Sequence, residues 1–98
     1  MFIVLMTYKK PLDIIDQFLS HHRAHLDKGY RDNLLVASGP RNPRTGGVLI
    51  SHATDKTRLE AFLKLDPFVA NEIAKYDIIE FNPVKYHSDF ISFIGPQD

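Results

Sequence analysis

The sequence predicts an α+β fold of ferredoxin-like order, β-α-β-β-α-β, with an antiparallel sheet carrying its helices on one face. Three observations lead there. Four short apolar runs are rich in β-branched and aromatic residues, two segments repeat apolar residues at spacings of three and four, and Gly, Pro and Asn punctuate the joins. With 98 residues, 44% hydrophobic and 24% charged, the chain can bury one real core and is too short for two ordinary domains. A single domain over 1–98 is expected.

Residues 2–8 (FIVLMTY) read as a buried first strand. Pro11 suits the first turn of a helix, where its missing N–H would be unpaired anyway. From there Leu12, Ile15, Leu19, His22 and Leu26 form one stripe, with Ile14, Phe18, His21 and His25 adjoining it. The helix is expected to end near Gly29, a natural C-cap. Residues 34–38 (LLVAS) form a second strand and 48–52 a third. Between them, two Pro and three Gly over 39–47 predict a long irregular loop at the pocket edge, mobile and free of ladder hydrogen bonds.

Residues 55–64 read as a second helix, with Leu59, Phe62 and Leu63 on one face and Thr57-x-x-Glu60 fitting a capping box. Asp66-Pro67 interrupts it and starts another turn or two to about Ala74, with Asp66 at the N-cap and Pro67 at the first helical position. Residues 76–81 form the fourth strand. Phe90, Ile91, Phe93 and Ile94 follow in the tail. A sheet with helices on one side leaves its other face apolar, which predicts a homodimer.

Composition narrows the function. Twelve Lys and Arg balance twelve Asp and Glu, so the basic excess of a nucleic-acid binder is missing. The halves differ mildly, +3 over residues 1–49 and −3 over 50–98 with His neutral. The absence of Cys excludes disulfides, thiolate metal sites and Cys nucleophiles, and makes a reducing cytoplasm the expected compartment. The opening apolar run lacks the leading basic residues of a signal peptide, and no run reaches membrane-spanning length. Neither a nucleic-acid nor a membrane partner is expected.

Three His fall in one turn: His21, His22 and His25. Either His21/His25 or His22/His25 has the spacing to grip a metal, but the Glu that a zincin motif needs after its first His is replaced by His22. No metal is assigned. His25, beside Ile14 and Phe18, reads two ways: a core imidazole bonded to a carbonyl, or an acid/base group with a carboxylate partner. Asp66 is explained by capping alone, yet follows the Leu59/Phe62/Leu63 face closely enough to point inward. Arg41 and Arg44 could recognise a carboxylate, and Arg41, nearer the end of strand two, is the favoured contact. Gly46-Gly47 lacks the Lys-Ser/Thr of a phosphate loop, and Ser38 lacks a nucleophile elbow.

Taken together, these pieces resemble the YciI-like (YCII-related) family. The matching segments are the apolar first strand, Arg23-Ala24-His25-Leu26, Leu34-Leu35-Val36-Ala37-Ser38-Gly39-Pro40, the Gly46-Gly47 turn and Asp66-Pro67-Phe68-Val69. The resemblance implies a dimeric α+β barrel formed through sheet faces, and a pocket with a His–Asp pair, carried over as His25 and Asp66. Many relatives have Arg three residues before that His; here the position holds His22, a departure from the pattern. The resemblance further implies a cofactor-free enzyme of lyase or isomerase type acting on a small aromatic or acidic molecule. His25 would be its acid or base, Asp66 would orient the ring, and Ser38, Pro40 and Phe68 would line the pocket. The alternatives are a non-catalytic ligand-binding or sensing module, and a structural subunit in which the His–Asp pair is only a buried hydrogen bond.

Overall fold

A computed structural model describes residues 1–94; positions 95–98 of the expected single domain lie outside the described residues. The elements run β1 (Phe2–Tyr8), α1 (Leu12–Arg31), β2 (Leu35–Pro40), β3 (Gly46–Ser51), α2 (Lys56–Lys64), α3 (Pro67–Ala70) and β4 (Ala74–Glu80), followed by a 3-10 turn at Ser88–Phe93. The strands form one antiparallel sheet in the order β2-β3-β1-β4. This is the expected α+β architecture, with the second helix broken into α2 and α3 at Asp66-Pro67.

The period of two along each strand sorts its residues between faces. On β1, Phe2, Val4 and Met6 are buried against the helices together with Leu49, Leu59 and Leu63. A smaller core joins Ile15 of α1 to Phe68 of α3 and to Ile73 and Ala74. That contact draws the breakpoint between α2 and α3 up to the middle of α1. The opposite face carries Ile3, Leu5, Val48, Ile50 and Ile79, which are half-buried or exposed.

Three local expectations are corrected. Helix α1 continues past Gly29 to Arg31. Gly29 lies inside it because a Cβ there would come within 2.7–2.9 Å of Phe62 and Leu35 side chains. Asn33, at φ 59°, supplies the left-handed residue instead, and the Leu34 N–H closes onto the Gly29 carbonyl at 2.8 Å. Second, α2 is capped by Asp55, whose carboxylate accepts from the Thr57 N–H at 2.9 Å, two residues ahead of the Thr57–Glu60 box.

Third, the irregular loop shrinks to residues 41–45, because ladder pairing runs on to Pro40 opposite Gly47. Pro40 is tolerated because β2 is an edge strand and needs no donor on its outer side. Gly46 is required by close approach: a Cβ would collide with the Met6 carbonyl oxygen on β1. Gly and Pro here serve packing and an edge, and the ladder survives them.

Candidate functional site

Asp66 is fully buried at the N-cap of α3, where its Oδ1 accepts the Phe68 N–H at 2.8 Å. Capping satisfies only part of a buried carboxylate. The remainder is met by Nδ1 of His22, 2.8 Å from Oδ2 and 3.0 Å from Oδ1. The His22 ring stacks on Phe68 with centroids 4.0 Å apart and planes 7° from parallel. An ionised carboxylate only accepts, so Nδ1 is the donor to Asp66, and a ring in its neutral form would hold its lone pair at Nε2. Among the described residues that Nε2 has no hydrogen-bond partner.

His22 lines a cavity of about 380 Å³ between α1, α3 and the ends of β1, β2 and β3, while Asp66 is fully buried and does not line it. Met6, Tyr8, Leu19 and Phe68 give it apolar and aromatic walls, while His22, Arg23, Ser38 and Arg44 supply polar groups. A β-bulge between Leu35 and Ala37 shapes one wall. Leu35 pairs with Ser51 and Ser38 with Leu49, both on the helix side, so the extra residue turns Ser38 and then Pro40 toward the cavity. The Ser38 hydroxyl is fixed by the Tyr30 hydroxyl at 2.6 Å. Arg44 is braced by Asp16 at 2.6 Å, and this carboxylate raises the guanidinium pKa, so the group stays charged.

The expected His25–Asp66 contact is not formed. His25 instead bonds through Nε2 to the Phe62 carbonyl at 2.7 Å, stacks on the Phe62 ring at 4.2 Å, and does not line the cavity. It is the core imidazole of the alternative reading. The reason is helical phase: His22 lies centrally on the Ile15–Leu19–Leu26 stripe that faces Asp66, whereas His25 is rotated toward α2. That stripe, with His22 on it, was readable in the sequence, but what it faces was not. His21 is exposed.

Ser38, Pro40 and Phe68 line the cavity. Arg41 does not; its N–H extends the ladder to the Gly46 carbonyl at 2.9 Å, one step out of phase with Ser38 and Pro40, and Arg44 takes the place at the cavity. Arg23, from the Arg23-Ala24-His25-Leu26 segment of the resemblance, also lines the cavity, as does Tyr8, which has no separate sequence signal. Among the described residues no group of three or more His, Cys, Asp or Glu side chains gathers as a metal site, and no helix is long and apolar enough to cross a membrane.

Comparison with known proteins agrees with this fold. The family model for the YCII-related domain matches residues 1–82. Among solved structures, a 5-chloro-2-hydroxyhydroquinone dehydrochlorinase from Burkholderia phenoliruptrix AC1100, in complex with 2,5-dihydroxybenzoquinone, superposes with a TM-score of 0.68. The match covers 83% of this chain and 93% of that one at 18% identity, a likeness of fold. No curated protein matches this chain.

Proposed function

The chain belongs to the YCII-related family, and on that premise we propose that it is a cofactor-free enzyme in which His22 and Asp66 move a proton on a small aromatic or acidic molecule. The observation that carries this reading is the orientation of His22: Nδ1 is committed to Asp66, leaving Nε2 as the nitrogen able to meet a ligand. The dehydrochlorinase of like fold, bound to a quinone, supports the ligand class.

In this reading Nε2 takes a proton from carbon or oxygen of the ligand. Asp66 stabilises the imidazolium that forms, and the new negative charge on a ligand oxygen faces Arg44, Arg23 and the Ser38 hydroxyl. The electron pair of the broken C–H bond either becomes a double bond as a leaving group departs with its own pair, a lyase outcome, or shifts the existing double bond before reprotonation, an isomerase outcome. Both need only acid/base groups.

The protein acts as a homodimer in this proposal. Ile3, Leu5, Val48, Ile50 and Ile79 give the sheet an apolar face that a second copy can cover by a two-fold contact.

The test is a ligand and turnover screen with quinones, hydroquinones, lactones and benzoates on wild type, His22→Gln and Asp66→Asn. Turnover by wild type that falls about 10²–10⁴-fold in both variants is the expected result. Saturable binding with no turnover of any compound would identify a sensing module instead, and neither binding nor turnover would leave a structural subunit.

A further inference from the structure

The polar groups lining the His22 cavity differ in what already holds them. His22 is bonded through Nδ1 to Asp66, whose Oδ1 also takes the Phe68 N–H. Arg44 is paired with Asp16 at 2.6 Å, and Ser38 is held by the Tyr30 hydroxyl. Among the described residues, Arg23 is the one charged lining residue without a hydrogen-bond or ion-pair partner. No carboxylate side chain lines the cavity among the described residues to provide one.

The place of Arg23 follows from the helix. Asp16, Arg23 and Tyr30 succeed one another at intervals of seven on α1, about 10 Å apart along its axis, and so share one line on its surface. Asp16 crosses from that line to Arg44 in the 41–45 loop, and Tyr30 crosses to Ser38 on the edge strand β2. The line is tied across the cavity at both ends and free in the middle. There Arg23 is exposed and still lines the cavity, which puts it at the rim. His22, one residue earlier, is turned about 100° round the helix onto the inner stripe. Base and free cation therefore meet different parts of one ligand, whose body lies against the apolar walls of Met6, Leu19 and Phe68.

We propose that Asp16 and Arg23 set the charge of the ligand: the cavity selects a ring compound with one carboxylate, held at the rim by Arg23, because Asp16 has already matched Arg44. This rests on the reading that the His22 cavity is the ligand site, and narrows its ligand from aromatic or acidic to a monoanion. The planar fork of Arg23 takes a carboxylate in two parallel hydrogen bonds. The carboxylate is a charge that the ligand brings with it, apart from any that develops in the reaction. A second carboxylate would find Arg44 occupied and Asp16 repelling it.

The experiment is calorimetry of the whole protein with benzoate, its neutral isostere benzamide, and the dianion isophthalate, at constant ionic strength, with the His22 ring nitrogens followed by NMR. Wild type should bind benzoate about tenfold or more tightly than benzamide, and isophthalate no more tightly than benzoate. Arg23→Gln should erase the preference for benzoate while benzamide binding persists, and Arg41→Gln should keep it. Asp16→Asn, at an exposed pair that folding tolerates, frees Arg44 and should raise the affinity for isophthalate relative to benzoate about tenfold. Equal binding of benzoate and benzamide at His22 would overturn the proposal and leave the cavity as the ligand site. A preference that survives Arg23→Gln, or an isophthalate-to-benzoate ratio unmoved by Asp16→Asn, would overturn it equally. Failure of all three compounds to saturate the His22 resonances would overturn the underlying reading and the proposal with it.

Discussion

His22 lies flat on Phe68, ring centroids 4.0 Å apart, with the Asp66 carboxylate in contact with its Nδ1 at one edge. Asp66 and Phe68 are two residues apart, and the N–H of Phe68 is the group that Asp66 caps. One turn of chain therefore fixes both the plane of the imidazole and its tautomer. The Asp-Pro-Phe sequence begins a helix and, in the same geometry, holds the His22 ring.

Asp66 thus has two separable duties. Asp66→Ala removes the cap and the charged partner of His22 together, and about 2–4 kcal/mol of stability should go with them. Asp66→Asn keeps a good capping group, so chemical denaturation should show a smaller loss. Its defect should be in turnover, since an amide that donates to Nδ1 favours the tautomer with the lone pair on the wrong nitrogen. Equal stability losses in both variants would contradict this division.

The two loop arginines should behave differently. Arg44→Gln is expected to weaken binding of an anionic ligand by about tenfold, the scale of one charge-assisted hydrogen bond. Arg41→Gln should leave it unchanged, because the ladder turns that residue away from the cavity. Calorimetry with a benzoate or dihydroxybenzoquinone distinguishes them.

Sedimentation of wild type should give twice the 11.2 kDa chain mass. Leu5→Lys places a charge in the middle of the open sheet face, across from Val48 on one side and Asp77 on the other, and should give monomers. A wild-type monomer at micromolar concentration would remove the dimer from the account.

Burial, with a smaller contribution from the Glu60 carboxylate, raises the Tyr76 phenol above its ordinary value of 10.0. The folded state therefore resists ionisation more than the unfolded chain does. Its contribution is complete below pH 10.0 and is lost as pH rises through the raised folded value. Stability should decline above pH 10, and Tyr76→Phe should remove part of that slope. Identical slopes in the two proteins would rule Tyr76 out as the source.

Much of the fold was legible in the sequence because strand and helix periods are local. The apolar run Phe2–Tyr8 and the stripe from Ile15 to Leu26 each needed only a few neighbours to read. Loop ends were less legible, because Gly39, Pro40, Gly46 and Gly47 look like breakers until an edge strand and the Met6 carbonyl give them other reasons. The site was half legible. Asp66-Pro67 and Ser38 were identifiable, but choosing between His22 and His25 depends on which face of α1 meets α3. The stripe placed His22 with Ile15, Leu19 and Leu26 without naming its partner, and the Arg-Ala-His-Leu resemblance drew attention to His25, three residues on. Arg44 was separated from Arg41 only by the bulge at Leu35/Ala37, which changes which residues of β2 face inward and leaves no mark in composition.

The central claim is that His22, oriented by Asp66, meets the ligand through Nε2 while His25 is a core residue. Long-range proton–nitrogen NMR of the His rings, during a titration with 2,5-dihydroxybenzoquinone, tests it most directly. In the free protein the His22 ring should carry its proton on Nδ1, and added ligand should move the His22 Nε2 resonance to saturation and leave both His25 nitrogens in place. A free protein with the His22 proton on Nε2, a response centred on His25, or no saturable response at His22 would contradict the account.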